Sequence, residues 1–191
     1  MVGLSGAGGN WQVIDEIADR AVVQQQDKLS CGPACGEMLL GDRGMYGANQ
    51  SLIAAETGVP VNIEDLAIAL NTLDTSSSRF WLGGTISIPG ATNSEIVEVL
   101  ITTGSWAAIL WETLADLGHV VIVDGLDDTG KIMIRDPWNA TKYKMELAEF
   151  LNYWSWYGYT KVYFYNRSES SWRTFTSDYS RRSHFFRGFQ I

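Results

Sequence analysis

The stretch Gln25–Cys35, which reads QQDKLSCGPAC, is the most informative part of this chain of 191 residues. It is followed by an isolated histidine, His119, and then by Asp136 at the end of another apolar run. A cysteine, a histidine and an aspartate, with a glutamine placed before the cysteine, can supply the nucleophile, the base, the base-orienting group and the oxyanion donor of a thiol-dependent acyl transfer. Gln25, Cys31, His119 and Asp136 are therefore the candidate catalytic residues.

The surroundings of Cys31 favour a reactive thiol. Ser30 stands where a helix N-cap belongs and Pro33 falls in the first turn, so a helix is predicted to begin at about Cys31. Unpaired N–H groups and the helix dipole at that end favour an anion and should lower the pKa of the thiol. The Cys31 backbone N–H and the side-chain amide of Gln25 can then hold a developing oxyanion, because an amide donates without titrating. A register shift of one would give the role of Gln25 to Gln24 or Gln26.

His119 and Asp136 are predicted to meet across a hairpin. Each lies in a segment with strand character, and the spacing of 17 positions accommodates a strand, a turn and a strand. The imidazole would pair with the thiol of Cys31 and act as acid and base in turn. The carboxylate of Asp136 would fix the tautomer and the orientation of the ring.

Other residues of these types have plainer interpretations. Cys35 lies one helical turn beyond Cys31 and is predicted to pack in the core, with the role of nucleophile as the alternative. His184 falls in the C-terminal tail and is predicted to be a surface residue. Trp138 either shields the bond between His119 and Asp136 from water or belongs to a simple turn. Three aspartates are predicted to be turn residues, with calcium binding as the alternative: Asp124, Asp127 and Asp128.

The first half of the chain shows helical patterns and the second half strand patterns. Helix signals, several with a capping asparagine or a closing glycine, cover about 31–41, 49–58, 62–71, 93–100 and 145–151. Residues 11–19 are predicted to be a short helix or an arm. Segments rich in β-branched and aromatic residues, typical of strands, cover 20–24, 106–111, 119–125, 131–136 and 160–165, with a hairpin turn at 127–130. The prediction is an α+β fold with the site where the helical half meets one antiparallel sheet.

Composition limits the function. Apolar residues make up 46% of the chain and charged residues 19%, which indicates a globular protein of one domain, or of one domain and an appendage. A net charge of -8 makes nucleic acid an unsuitable general partner. We find neither a secretory signal nor an apolar run long enough to span a bilayer. Two cysteines make neither a disulfide framework nor a zinc site, so free thiols are expected, and the candidate chemistry requires no metal or cofactor.

Three regions are predicted along the chain. The glycine-rich residues 1–10 are interpreted as a linker or a cut end, and residues 11–166 as the folded domain. Residues 167–191 carry five arginines against two acidic residues, whereas 1–166 carry nine basic against twenty acidic residues. This basic, aromatic-rich tail either docks on the acidic body, engages a partner, blocks the cleft or is a mobile end.

The residues from Gln25 to Gly32 resemble the Gln-x-Asp-x-x-Asp-Cys-Gly signature of the bacteriocin-leader cysteine peptidases, which remove double-glycine leaders and are often fused to ABC exporters. Cys-Gly-Pro at 31–33, the strand from Gly118 to Gly125 and Asp-Pro-Trp at 136–138 are similar to motifs of the wider papain-like group. Ser30 departs from the signature, which has aspartate there. The resemblance spans about 20–165 and implies a papain-like fold, with the four roles on Cys31, His119, Asp136 and Gln25.

The leading functional prediction is hydrolysis of peptide bonds in a peptide or protein substrate through a thioester on Cys31. The first alternative keeps the nucleophile but deamidates or crosslinks protein glutamines. The second is an inactive peptidase scaffold that serves as a binding module. The chain also resembles the toxin or effector modules at the C-terminal ends of large bacterial secreted proteins, which implies a bacterial cytoplasmic or secreted location and a cognate inhibitor or immunity protein as a partner.

Overall fold

The computed structural model describes residues 6–75, 79–86, 88–112, 117–155 and 162–168. In these ranges the helices are α1 (Cys31–Asp42), α2 (Gln50–Thr57), α3 (Ile63–Leu73), α4 (Asn93–Ile101) and α5 (Leu147–Ser155). The strands are β1 (Ile14–Ala18), β2 (Arg79–Thr85), β3 (Trp106–Glu112), β4 (Leu117–Leu126), β5 (Ile132–Asp136), β6 (Thr141–Met145) and β7 (Val162–Ser168). The predicted α+β class, with an antiparallel sheet, is confirmed.

The described strands form one antiparallel sheet in the order β1-β6-β5-β4-β3-β7-β2. Consecutive hairpins from β3 to β6 make its centre, and the predicted turn joins β4 to β5 with a bond from Gly130 N to Asp127 O of 3.0 Å. The two strands from the first half of the chain, β1 and β2, lie at opposite edges. The sheet is therefore not built from the second half alone.

Helices cover both faces of this sheet. On β4, Val120 and Ile122 belong to the core shared with α1, α2 and α3, whereas Val121 and Val123 belong to the core shared with α4 and α5. This alternation follows from the period of two of a strand, which sends successive side chains to opposite faces. A strand that is apolar on both faces is buried on both, which explains the continuous apolar run that begins after His119.

The predictions for residues 11–24 and for two other segments were wrong or incomplete. Residues 14–18 form the edge strand β1 rather than a helix, and 20–24 contain no strand. Val22 is nevertheless buried against α1 and β4, so its apolar character serves the core without strand pairing. Strands β2 and β6 were not predicted. The pairing of β1 with β6 and of β2 with β7 joins segments far apart in sequence, which local patterns do not specify.

Residues 6–10, part of the predicted linker, lie against the domain. Gly6 forms a bridge with Trp11, and Ala7 is buried and donates its backbone N–H to Asp136 Oδ2 at 3.2 Å. At the other end, β7 extends to Ser168, two residues into the predicted tail, and the rest of that tail lies outside the described residues. None of the described helices combines the length and the apolar character that crossing a membrane requires.

The helix that begins at Cys31 is fixed at its far end by a buried cation. Arg135, on β5, forms ion pairs with Asp42 at 2.6 Å and with Asp124 of β4 at 2.8 Å. Asp42 is the last residue of α1, so this arginine joins the helix to the central sheet. The helix therefore cannot turn independently of the strands that carry His119 and Asp136.

Close packing at the start of α1 gives a first prediction. A Cβ on Gly32 would overlap Cγ1 of Val61, whereas one on Gly41 of the same helix would meet no atom within 4 Å. We expect Gly32→Ala to lower the free energy of unfolding by about 1–3 kcal/mol, because overpacking forces its neighbours apart. Gly41→Ala is the matched control, expected to be neutral or stabilising by up to about 1 kcal/mol. Urea unfolding measures both, and equal effects of the two would contradict the prediction.

Candidate active site

The thiol of Cys31 lies at the first residue of α1. Ser30 occupies the N-cap position but its side chain makes no capping hydrogen bond; its hydroxyl bonds to Asp27 instead. The N–H groups at this end of the helix are thus not satisfied by the N-cap side chain. The backbone N–H of Gly32, together with that of Val120 on β4, bonds to the Cys31 sulfur. The position of the predicted N-cap is confirmed, while its side chain holds the preceding loop rather than the helix.

The structure brings His119 to both of its predicted partners. Nε2 of His119 lies 2.8 Å from Asp136 Oδ1, and a second hydrogen bond joins His119 to the Cys31 side chain. Because Nε2 is engaged by the carboxylate, Nδ1 is the ring nitrogen left for the sulfur. His119 is 4% exposed and Asp136 is fully buried, so little water reaches their bond.

Asp136 accepts hydrogen bonds from several donors at once. Oδ1 accepts from the backbone N–H of Trp138 at 2.9 Å as well as facing His119. Oδ2 accepts from the Tyr143 hydroxyl at 2.7 Å and from Ala7 N–H at 3.2 Å. These bonds hold the carboxylate in one orientation, and the ring of His119 is held with it.

Sequence reasoning missed two residues that lie around this chain of hydrogen bonds, Trp11 and Tyr143. The Nε1–H of Trp11 donates to the Tyr143 hydroxyl at 3.0 Å, and its ring centroid lies 5.9 Å from that of His119. The ring of Trp138 is nearly perpendicular to the imidazole, at 6.1 Å between centroids. This geometry supports the interpretation that Trp138 shields the bond between His119 and Asp136, and it adds Trp11 to that shield.

The three groups shift one another's pKa values. Burial alone would raise the pKa of the Cys31 thiol, but the hydrogen bond to His119, the charge of His119 and the two backbone N–H groups bring it below its ordinary value. Burial alone would lower the pKa of His119, yet the charge of Asp136, its hydrogen bond and the Cys31 sulfur raise the pKa to about 10. Burial would raise the pKa of Asp136, and His119, Trp138 N–H and Tyr143 hold it low. The combination favours a thiolate facing an imidazolium.

Gln25 is placed beside this group by the loop before α1. Its side chain is buried, whereas Gln24 and Gln26 are exposed, so the structure favours Gln25 among the three glutamines. The backbone N–H of Gln25 donates to Pro137 O at 2.8 Å, which ties the loop to the turn after Asp136. Its Nε2 donates to Asp27 O at 2.6 Å. That bond uses one amide hydrogen and leaves the second for another acceptor.

The alternatives weighed from the sequence are resolved in part. Cys35 is fully buried, its Sγ lies 3.3 Å from Val120 O, and burial raises its pKa well above the ordinary value, so its predicted place in the core is confirmed. His184 lies outside the described residues. Asp124 pairs with Arg135, and Asp127 accepts from turn N–H groups and pairs with Lys144. In the described part of the chain we find no group of three or more metal-binding side chains.

Comparison with known proteins gives the family of this chain. Residues 17–162 match the Peptidase_C39 like family, and the chain belongs to that family. The fold and this match together define a domain of the cysteine peptidase class. A relative is Cysteine protease effector 1 of Escherichia coli O1:K1:H7, 38% identical over 150 residues that cover 78% of this chain and 28% of the relative. This chain therefore spans little more than a quarter of that relative.

A solved structure shares the fold. The peptidase domain of Streptococcus ComA, a bi-functional ABC transporter involved in a quorum-sensing pathway, superposes with a TM-score of 0.55 at 15% sequence identity. The match covers 77% of this chain and 97% of the ComA domain. The predicted resemblance to the leader-peptidase group is confirmed at the level of the fold.

Proposed function

We propose that this domain hydrolyses peptide bonds through a thioester on Cys31, with His119 as acid and base, Asp136 as the group that orients His119, and Gln25 as an oxyanion donor. The single observation that carries the proposal is the continuous chain of hydrogen bonds from the Cys31 sulfur through His119 to the buried carboxylate of Asp136. A nucleophile, a base and an orienting acid in hydrogen-bond reach are the arrangement that covalent acyl transfer needs.

In acylation, the thiolate of Cys31 attacks the carbonyl carbon of the scissile bond, and negative charge moves to the carbonyl oxygen. The Cys31 N–H has no acceptor within the helix, because it belongs to the first turn, and it can donate to this oxygen together with Gln25 Nε2. Protonated His119 gives its proton to the leaving nitrogen as the carbon–nitrogen bond breaks. The products of this step are an amine and a thioester on Cys31.

In deacylation, neutral His119 takes a proton from water while the oxygen of that water attacks the thioester carbon. The same donors bind the second oxyanion. The carbon–sulfur bond then breaks and releases the thiolate and a carboxylic acid, which loses its own proton to solvent, while His119 holds the proton taken from water. Asp136 keeps Nε2 protonated throughout, so that Nδ1 always faces the reacting atoms.

A protein substrate is the class that we propose. The relative that is 38% identical carries the name of a cysteine protease effector, and a protease by definition cleaves peptide bonds of proteins. Ser30 stands where the leader-peptidase signature has aspartate, and its hydroxyl bonds to Asp27. Processing of double-glycine leaders is therefore not carried over to this chain.

The proposed reaction is tested by the mass of its products. The domain is incubated with a mixture of peptides and unfolded proteins in water enriched in ¹⁸O, and the products are read by mass spectrometry. Hydrolysis predicts new termini that carry one ¹⁸O, together with a thioester adduct on Cys31 in acid-quenched samples. Glutamine deamidation would leave intact chains with altered mass and transglutamination would give crosslinked chains. Either result, or unchanged substrates under all conditions, would contradict the proposal.

A further inference from the structure

We propose that Gln50, the first residue of α2, is a positioning residue that holds Gln25 in place for the oxyanion. The inference rests on the proposed function, because it assigns Gln50 a task only if Gln25 donates to the reacting carbonyl oxygen. Gln50 lies 25 positions further along the chain, and no motif of the sequence marks it.

The side-chain amide of Gln50 binds the backbone on both sides of Gln25. Its Nε2 donates to Gln24 O at 2.8 Å, and its Oε1 accepts from Gln26 N–H at 3.0 Å. The side-chain amide of Gln50 therefore binds the backbone groups on either side of Gln25, much as a neighbouring β-strand would. Gln50 is 7% exposed, so water competes little for these bonds.

Gln50 is itself held by the helix that carries the nucleophile. Its backbone N–H donates to Glu37 Oε2 at 2.6 Å, and Glu37 lies on α1. On the other side of the loop, Gln25 N–H is bound to Pro137 O at 2.8 Å. Gln25 thus lies between two supports, one connected to Cys31 through α1 and one connected to Asp136 through its neighbour Pro137.

The loop has no other regular structure to fix it. Residues 23–29 contain neither helix nor strand, so the direction of the Gln25 side chain depends on bonds of this kind. An oxyanion donor acts only when it lies about 2.7–3.1 Å from the oxygen that develops the charge. A displacement of about 1 Å in such a site can cost on the order of 10²-fold in rate. Loss of the Gln50 bonds should therefore weaken oxyanion binding while leaving the thiolate intact.

The test compares two reactions of the same sulfur. Peptide hydrolysis forms an oxyanion, whereas alkylation of Cys31 by iodoacetamide displaces iodide and forms none. We expect Gln50→Met, which keeps the side-chain length and removes both bonds, to lower kcat/KM for hydrolysis by roughly 10-fold to 100-fold. The alkylation rate should stay within about twofold of wild type. Ser51→Ala is the matched control, because Ser51 bonds only the exposed side chain of Gln26 in this loop, and both of its rates should be unchanged.

A double-mutant cycle makes the assignment specific. If Gln50 acts through Gln25, Gln25→Ala combined with Gln50→Met should hydrolyse no more slowly than Gln25→Ala alone. Additive losses, equal losses in hydrolysis and alkylation, or no loss in Gln50→Met would each overturn the inference. If Gln50→Met does not fold, Gln50→Glu gives the same comparison, because it keeps the acceptor for Gln26 N–H and replaces the donor to Gln24 O. Failure of the proposed function would show separately, as a wild-type domain without hydrolysis or a Gln25→Ala variant with full activity.

Discussion

A Cys31→Ala variant is expected to lose roughly 10⁶-fold in kcat for peptide cleavage, as when the nucleophile of a comparable hydrolase triad is removed. The physical reason is that no other described group can form the acyl intermediate: the sulfur of Cys31 is partly exposed and bonded to His119, and the sulfur of Cys35 is fully buried with a raised pKa. Alanine leaves α1 and the bond between His119 and Asp136 in place. The measurement is the initial rate of peptide cleavage at matched concentrations of folded protein.

Cys35→Ala is the matched control for this loss. The substitution removes the other thiol, one turn along the same helix, and leaves a small cavity next to Val120. We expect a free energy of unfolding lower by about 0.5–3 kcal/mol with most of the activity retained. Full activity in Cys31→Ala, or loss of activity only in Cys35→Ala, would show that the nucleophile has been misassigned.

Asp136→Asn is expected to lower kcat by about 10³–10⁴-fold, in the range known for a triad that loses its carboxylate. An asparagine presents one acceptor and one donor group, whereas every described neighbour of Asp136 is itself a donor: His119, Trp138 N–H, Tyr143 and Ala7 N–H. If the side-chain nitrogen of the asparagine faces His119, Nε2 must accept a hydrogen bond and the ring takes the wrong tautomer. If that nitrogen faces the other way, its N–H groups oppose the backbone N–H of Ala7. The charge that keeps His119 protonated is lost in both orientations.

The same variant should also change the thiol. Without the carboxylate the pKa of His119 falls, the imidazolium no longer stabilises the thiolate, and the pKa of Cys31 rises. Asp15→Asn is the control: it removes an exposed carboxylate that pairs with Lys144 at the edge of the sheet and touches none of the reacting groups. Its activity should match wild type. An Asp136→Asn variant within tenfold of wild-type kcat would exclude an orienting role for Asp136.

The helices could be predicted because their signals are local. Asn49 and Asn62 each cap the helix that follows, accepting from Leu52 N–H and Asp65 N–H, and a cap needs only the three residues beside it. The hairpin at Asp127 was predictable for the same reason. The strands at the sheet edges were not, because β1 and β2 are defined by partners about 80 to 130 residues away.

The residues of the candidate site also divide into those with a local sequence signal and those placed by the tertiary fold. Cys31, His119, Asp136 and Gln25 could be found because each has a residue type and a spacing that chemistry restricts. Tyr143 was missed although TKYKM at 141–145 alternates buried and half-buried positions, a strand signal that would have placed Tyr143 on a buried face of the sheet. Gln50 carries no such signal, because its role depends on backbone groups that only the tertiary fold brings near.

The most direct measurement for the central claim is the pH dependence of Cys31 alkylation, followed by peptide mapping in wild type and in His119→Ala. A thiolate paired with an imidazolium predicts a reaction with iodoacetamide whose apparent pKa lies clearly below that of a free cysteine, about 8.5. His119→Ala should bring the apparent pKa of Cys31 back to that value or above it, because burial then acts without the opposing charge. A wild-type profile with an apparent pKa at or above about 8.5, unaffected by His119→Ala, would contradict the ion pair on which the proposed chemistry depends.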